Sequence, residues 1–225
     1  MALFSFRHSV KTFSDKRSAD GRAARIGQTA AHLRYITRPK AARDVEAVRL
    51  SDGGFTAAAR AAEADAARRK GRVAERFIVA LPSEATPEQR ATLARAFCER
   101  LTDGKAGYVF AIHDQHANDT SNPHFHAVAF DTFVKTGGRG RPRSVIGMAR
   151  KGAVERTAKM WADLHNAHMR EWGYGEGAMI SHRSFAARGI ERVPTIHEGP
   201  AARAAQATGQ APRSKPNWAK IDEGR

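Results

Sequence analysis

The sequence predicts an α+β domain, a largely antiparallel sheet with helices packed against it. Three observations carry that expectation. The strand-like segments "GYVFAIH" and "HFHAVAFDTF" flank the polar stretch "DQHANDTSNP", and a connection that short joins antiparallel strands as a hairpin. Strand-like and helix-like segments alternate along the chain. No repeat of roughly 20 to 50 residues recurs, which excludes a solenoid or a propeller.

The elements follow in order. "ALFSFRHSVKTF" mixes aromatic, β-branched and polar residues and reads as a strand with a basic end. After the polar break "SDKRSADG", Ile26, Ala30, Leu33 and Ile36 or Thr37 fall at helical spacing, and Pro39 closes the helix. "SDGGFTAAARAAEADAARRKGRV" is an Ala- and Arg-rich helix, mostly solvated, and "ERFIVALP" is a strand ended by Pro82. In "SEATPEQRATLARAFCERL", Thr86 is a good N-cap, Pro87 fits the first turn and Gln89 completes a capping box. Leu93, Phe97 and Leu101 form its apolar stripe. The Gly/Arg segment "KTGGRGRPRSVIGMARKG" shows no regular pattern, and "AVERTAKMWADLHNAHMREWG" is a long helix ended by Gly173.

Composition narrows the function classes. In 225 residues, 38 Lys and Arg face 23 Asp and Glu, a net charge of +15, which favours a polyanionic partner, nucleic acid first. The only cysteine, Cys98, allows neither an internal disulfide nor a cysteine zinc site, and its apolar neighbours make it a buried small hydrophobe. No segment is apolar for long enough to span a bilayer. Arg7, His8 and Lys11 interrupt any secretory signal at the start, so a cytoplasmic protein is expected.

The chemistry concentrates in "IHDQHANDTSNPHFHAVAF", which holds four of the ten histidines. Side chains two apart on a strand share a face, so His124 and His126 project together, with Phe125 and Ala127 opposite. Hairpin pairing sets His113 beside them. Three neutral imidazoles then form a facial N3 set suited to Zn, Mn, Co or Ni, and less naturally to Mg. His116 is an alternative third ligand, and Asp114 and Asp119 are candidates to orient the rings.

On the helix before Pro39, Tyr35 lies off the Leu33/Ile36 stripe and shares a face with Gln28, Ala31 and His32, amid Arg34, Arg38, Lys40 and Arg43. Both a surface tyrosine and a nucleophile fit that pattern. A tyrosine attacking phosphorus beside a metal would conserve phosphodiester energy in a covalent link. Tyr108 and Tyr174 read as structural. Arg139, Arg141 and Arg143 in "GGRGRPRS" are available to phosphates, or simply solvated.

"NPHFH" resembles the His-hydrophobic-His signature of HUH endonucleases. More narrowly, "FSFRHSVKTFSDKRS", "AAHLRYITR", "ERFIVALPSEATPEQR" and "WADLHNAHMREWG" followed by "SHRSFAARGIERVPTIHEGP" are together similar to MobA/MobL-type plasmid relaxases, over roughly residues 1 to 200. The resemblance implies an HUH-type five-stranded antiparallel sheet flanked by helices in a single domain, 1–198, with a flexible tail, 199–225. It implies a divalent metal, Mn or Mg in function, on His113, His124 and His126. Tyr35 would be the nucleophile, with Glu75, which matches an acidic family position, as an auxiliary group. Arg34, Arg38, Arg139, Arg141 and Arg143 would contact DNA. The implied reaction nicks one strand at a plasmid origin of transfer, leaves a covalent 5′-phosphotyrosine and later rejoins the strand, for conjugative mobilization. The implied partners are single-stranded or locally melted origin DNA, accessory relaxosome proteins and a secretion coupling protein, in the bacterial cytoplasm.

Two departures stand out. The family's nucleophile motif usually resembles "AAYR" where this chain reads "RYITR", and Ser181 precedes His182 where the family often has Asp. The alternatives are an HUH replication initiator or transposase, a metal-dependent hydrolase using water, and a non-catalytic basic DNA-binding module with a structural metal.

Overall fold

Five antiparallel strands build the scaffold of the computed structural model: β1 (Phe6–Thr12), β2 (Asp44–Val48), β3 (Arg72–Ala80), β4 (Gly107–His113) and β5 (His124–Phe130). Their order in the sheet is β1-β3-β5-β4-β2, with β5 at the centre. The described residues are 4–16, 21, 23–50, 52–115, 120–135, 137–140, 142–191, 204, 205 and 207–210. Helices of nine residues or more among the described residues accompany the sheet: α1 (Gln28–Ile36), α2 (Gly54–Arg69), α3 (Pro87–Thr102) and α4 (Ala153–Glu171). A two-stranded ribbon, β6 (Phe133–Val134) with β7 (Arg143–Ser144), leaves the Phe130 end of β5.

Each face of the sheet has its own helical cover. Phe77, Val79, Phe110, Ile112, Phe125 and Ala127 face α3 and α4. Phe97 of α3 sits at the centre of this cluster, with ring centroids 5.6 Å from Phe77, 5.5 Å from Phe125 and 5.8 Å from Trp161 of α4. These edge-to-face contacts add to the burial of each ring, which alone contributes about 1.5–3 kcal/mol. The expected Leu93, Phe97, Leu101 stripe is buried, and Cys98 with it. Thr86 Oγ1 accepts from Gln89 N at 3.3 Å while Gln89 Oε1 accepts from Thr86 N at 2.9 Å, so the capping box read from sequence is formed. On the other face, Ala74, Val109, Ala111 and Val128 pack against Leu33 and Ile36 of α1 and Ala59 and Ala66 of α2.

α1 differs from its sequence reading at the start. The helix begins at Gln28, not upstream, and Ile26 is 68% exposed rather than part of the stripe. Gly27 precedes the helix at φ 85°, a left-handed conformation that disfavours a side chain, and no N-cap side chain bonds the first turn. A carboxylate from α2 substitutes: Glu63 Oε2 accepts from Gly27 N and Oε1 from Thr29 N, both at 2.6 Å. A negative group at a helix N-terminus is favoured by the orphan N–H donors and the macrodipole. Glu63 is fully buried by this arrangement. The helix read as mostly solvated is therefore anchored by one of its acids.

The chain divides into two compact units, 1–182 and 183–225. In the second, a single 3-10 turn (Ala186–Arg188) ends at Gly189, and Gln210 N donates to Ala205 O at 2.9 Å. Most of the tail expected over 199–225 lies outside the described residues. No helix among the described residues is long and apolar enough to cross a membrane.

Candidate active site

The antiparallel register of β4 and β5 pairs His113 with His124 and Ala111 with His126. Both histidines of "HFH" therefore emerge on one face of the central strand, and His113 lies directly across from the first. Their ring centroids are 5.3 Å (His113–His124), 4.6 Å (His113–His126) and 5.1 Å (His124–His126) apart. One ligand nitrogen from each falls within 4.8 Å of the others. Phe125 and Ala127 point the opposite way into the α3/α4 core, as the period-2 reading requires.

Backbone carbonyls set the tautomers. His113 Nε2 donates to Ile36 O at 2.7 Å, which places the ring's lone pair on Nδ1. His124 Nδ1 donates to Asn122 O at 2.9 Å, which places it on Nε2. Hydrogen bonds of this kind orient a ligand imidazole and raise its basicity. His126 is pushed down to about 3 by burial first, then by His113, His124, His32 and Arg38, so its imidazole is neutral at physiological pH. Two imidazoles oriented by backbone carbonyls and a third held neutral by burial, with nitrogens this close, fit a divalent transition metal as a facial N3 donor set.

The last turn of α1 meets this site through a backbone carbonyl, one residue after Tyr35. Ile36, whose carbonyl His113 bonds, is the next residue in the chain. Tyr35 is 62% exposed, and the Arg38 guanidinium stacks on its ring at 3.9 Å from the centroid. The other tyrosines are committed elsewhere. Tyr108 is buried and donates to Glu99 Oε1 at 2.8 Å, and the Tyr174 hydroxyl bonds Gln89 Oε1 at 2.8 Å.

Other residues named from sequence lie apart from the histidines. Glu75 pairs with Ala129, whose side chain belongs to the α3/α4 face, so its carboxylate is on the opposite side of the sheet from His124 and His126. There it is buried, accepting from His8 Nε2 at 2.7 Å and from Arg72 Nε and Nη2 at 2.5 and 2.7 Å. Glu75 is a buried ion-pair centre between β1 and β3, not the auxiliary group of the site that the resemblance implies. Asp114 follows His113 but accepts from Arg43 Nε at 2.9 Å and Arg90 Nη1 at 3.1 Å, and no bond to an imaginable metal ligand is needed to explain it. Arg139 and Arg143 are exposed on the ribbon at the far end of β5 from His124. Arg34 is exposed on α1 and Arg38 is exposed just beyond its C-terminus, with Arg38 Nη1 donating to Tyr35 O at 2.5 Å. His116, Asp119 and Arg141 lie outside the described residues.

Two residues that sequence reasoning did not single out share the histidine face: Lys11 on β1 and Arg76 on β3. His32 is near both. Burial first, then Arg76 and Lys11, lowers it to about 4. Alternation along "VAERFIV" could have placed Arg76 on that face, but only the pairing of β1 with β3 brings Lys11 to it.

Comparison with known proteins places these features in a family. The MobA/MobL family profile matches residues 58–208, a span that includes the three histidines and begins after Tyr35. The chain is 32% identical over 150 residues to mobilization protein A of Escherichia coli, covering 59% of this chain and 20% of that one. It is 30% identical over 183 residues to a probable mobilization protein MobA of Bifidobacterium longum, covering 63% and 31%. The chain thus spans less than half the length of these relatives. Its fold is similar to that of a structure solved for the molecular basis of vancomycin resistance transfer in Staphylococcus aureus, with a TM-score of 0.60 and 20% identity over 81% of this chain and 100% of that one. The chain belongs to the MobA/MobL family.

Proposed function

We propose that this chain is a relaxase, a strand-specific DNA nickase that cleaves one phosphodiester at a plasmid origin of transfer by tyrosine transesterification. One observation carries the reading: the most exposed of the three tyrosines adjoins the residue whose carbonyl holds one of three clustered histidines. Family membership supports it, as does a net charge of +15.

His113, His124 and His126 would hold the divalent metal, which when bound supplies Lewis-acid polarisation of the scissile phosphate and offsets charge on its oxygens. The Tyr35 hydroxyl attacks phosphorus in line, the P–O3′ bond breaks, and the phosphate stays joined to the tyrosine and to the 5′-oxygen of the downstream fragment. The phenolic proton leaves and the departing 3′-oxygen gains one, so the step balances. Arg38, stacked on the ring, limits its rotamers and places a cation beside the phenolate as it forms. Because one phosphodiester replaces another, the 3′-hydroxyl can attack the phosphotyrosine and restore the strand. Exposure of Tyr35 suits a single-stranded or locally melted substrate, which can be drawn across the sheet face more readily than an intact duplex. Accessory proteins at the origin and a coupling protein are the partners such a role requires.

The experiment is incubation of the chain with Mn2+ and a labelled single strand of the origin, followed by denaturing electrophoresis and peptide mass spectrometry. A covalent adduct at Tyr35 that disappears with chelator is expected. Cleavage without an adduct would assign the attack to water, and binding without cleavage would make this a DNA-binding module.

A further inference from the structure

Every other partly buried arginine of the sheet and its flanking loops discussed above is neutralised. Arg43 and Arg90 share Asp114, and Arg72 bonds Glu75. Arg76 differs. Half-buried on β3, it has no carboxylate partner among the described residues, and its Nε is buried without a hydrogen-bond acceptor. Lys11 is also half-buried, and its ammonium donates only to a neutral group, Gln28 Oε1, at 3.1 Å, among the described residues.

The register brings these cations together on the face that carries the histidines. Arg76 pairs with Ser9 on one side and Val128 on the other, and Lys11 pairs with Ala74. Lys11 and Arg76 are thus diagonal neighbours on adjacent strands, and Arg76 is diagonal to His126, about 7–8 Å away at the backbone. Lys11, Gln28 and Arg76 line an open cavity of about 500 Å³ along the edge strand β1. Two half-buried cations set side by side are costly without an anion between them. Burial lowers both, and Arg76 lowers Lys11 further, although Glu63 opposes the shift.

We infer that Lys11 and Arg76, with Gln28, form a receptor for one phosphodiester group of the bound strand, separate from the scissile group at the histidines. The inference rests on the reading of the chain as a DNA nickase and names where the strand runs as it leaves the metal-binding face. Arg76 supplies planar paired donors and Lys11 a point charge, the combination that grips two oxygens of one phosphate. The contact fixes register along the strand and carries no base information. The cavity is open at the sheet edge, so the strand enters from the side and is not threaded.

The test uses the full chain carrying Tyr35→Phe, so that binding is read without cleavage, and a single-stranded oligonucleotide of the origin. Arg76→Met and Lys11→Met each weaken binding roughly 10-fold and flatten the slope of log affinity against log salt by about 0.7, the value for one phosphate of a single strand. Their unfolding temperatures stay equal to or above that of the Tyr35→Phe parent, because an unneutralised cation has been removed. In the parent, a methylphosphonate at one linkage other than the scissile one weakens binding, and this sensitivity vanishes in Arg76→Met. Unchanged affinity and slope in both methionine variants would overturn the receptor, as would a fall in unfolding temperature accompanying any loss of binding. The nickase reading fails independently: with Tyr35 intact, absence of the covalent adduct removes the nickase while the salt slopes still report on the receptor.

Discussion

Replacing Glu75 with Gln is expected to destabilise the fold while leaving the histidine cluster intact. The carboxylate is 1% exposed and holds two partners from two strands, His8 on β1 and Arg72 on β3, through three short hydrogen bonds. Removing one partner of a buried ionic group costs about 3–5 kcal/mol. Arg72 is about a third exposed and regains water when released, which reduces that cost. A loss of about 2–4 kcal/mol follows, or roughly 4–16 °C in unfolding temperature for a unit of this size. Burial raises the Glu75 carboxyl, but the bonds from His8 and Arg72 outweigh it and the net shift is downward from 4.5. A depressed folded pKa contributes stability above the unfolded value, and that contribution disappears as pH falls through the folded one. The gap between wild type and Glu75→Gln, measured by urea unfolding, should therefore be full near neutrality and shrink progressively below pH 4.5. Metal affinity, and nicking per folded molecule, should stay within about twofold because the carboxylate lies across the sheet from the histidines. A variant as stable as wild type that had lost nicking would refute this reasoning and return Glu75 to the active site.

Three further predictions concern separate parts of the molecule. Tyr35→Phe should abolish the covalent adduct on a denaturing gel while changing stability by less than about 0.5 kcal/mol, since the side chain is mostly exposed. His126→Ala should lower metal affinity by about 100-fold or more in calorimetric titration, leaving two imidazoles to hold the ion, with helical content unchanged by circular dichroism. Thr86→Ala removes half of the capping box and should cost about 1 kcal/mol in thermal unfolding, with DNA binding unaffected.

Local rules were enough for the elements that report on themselves. The capping box at Thr86, the apolar stripe of α3 and the alternation of "HFHAVAF" each follow from near neighbours, and each is present in the fold. The histidine cluster was legible for the same reason: a short hairpin fixes which residues oppose one another. β2 was not recognised. It is a five-residue edge strand, "DVEAV", with Val45 43% exposed, and what makes it a strand is distant pairing with β4, Asp44 opposite Ile112 and Val48 opposite Tyr108. The ribbon of β6 and β7 was missed because its two-residue strands are too brief to show a period. Glu75 was misplaced because its role depends on which face β3 turns toward α3, and on His8 arriving from β1. Glu63 as the cap of another helix, and Lys11 beside Arg76, are likewise products of tertiary pairing that no window of sequence contains.

The helix that carries Tyr35 is a strut fixed at both ends. Its first turn hangs from Glu63 of a neighbouring helix, and its last turn is tethered through the Ile36 carbonyl to a candidate metal ligand. The His113 ring is therefore joined through one carbonyl to the residue that follows Tyr35. On the nickase reading, the carbonyl that orients one candidate metal ligand would also fix the backbone that carries the attacking hydroxyl.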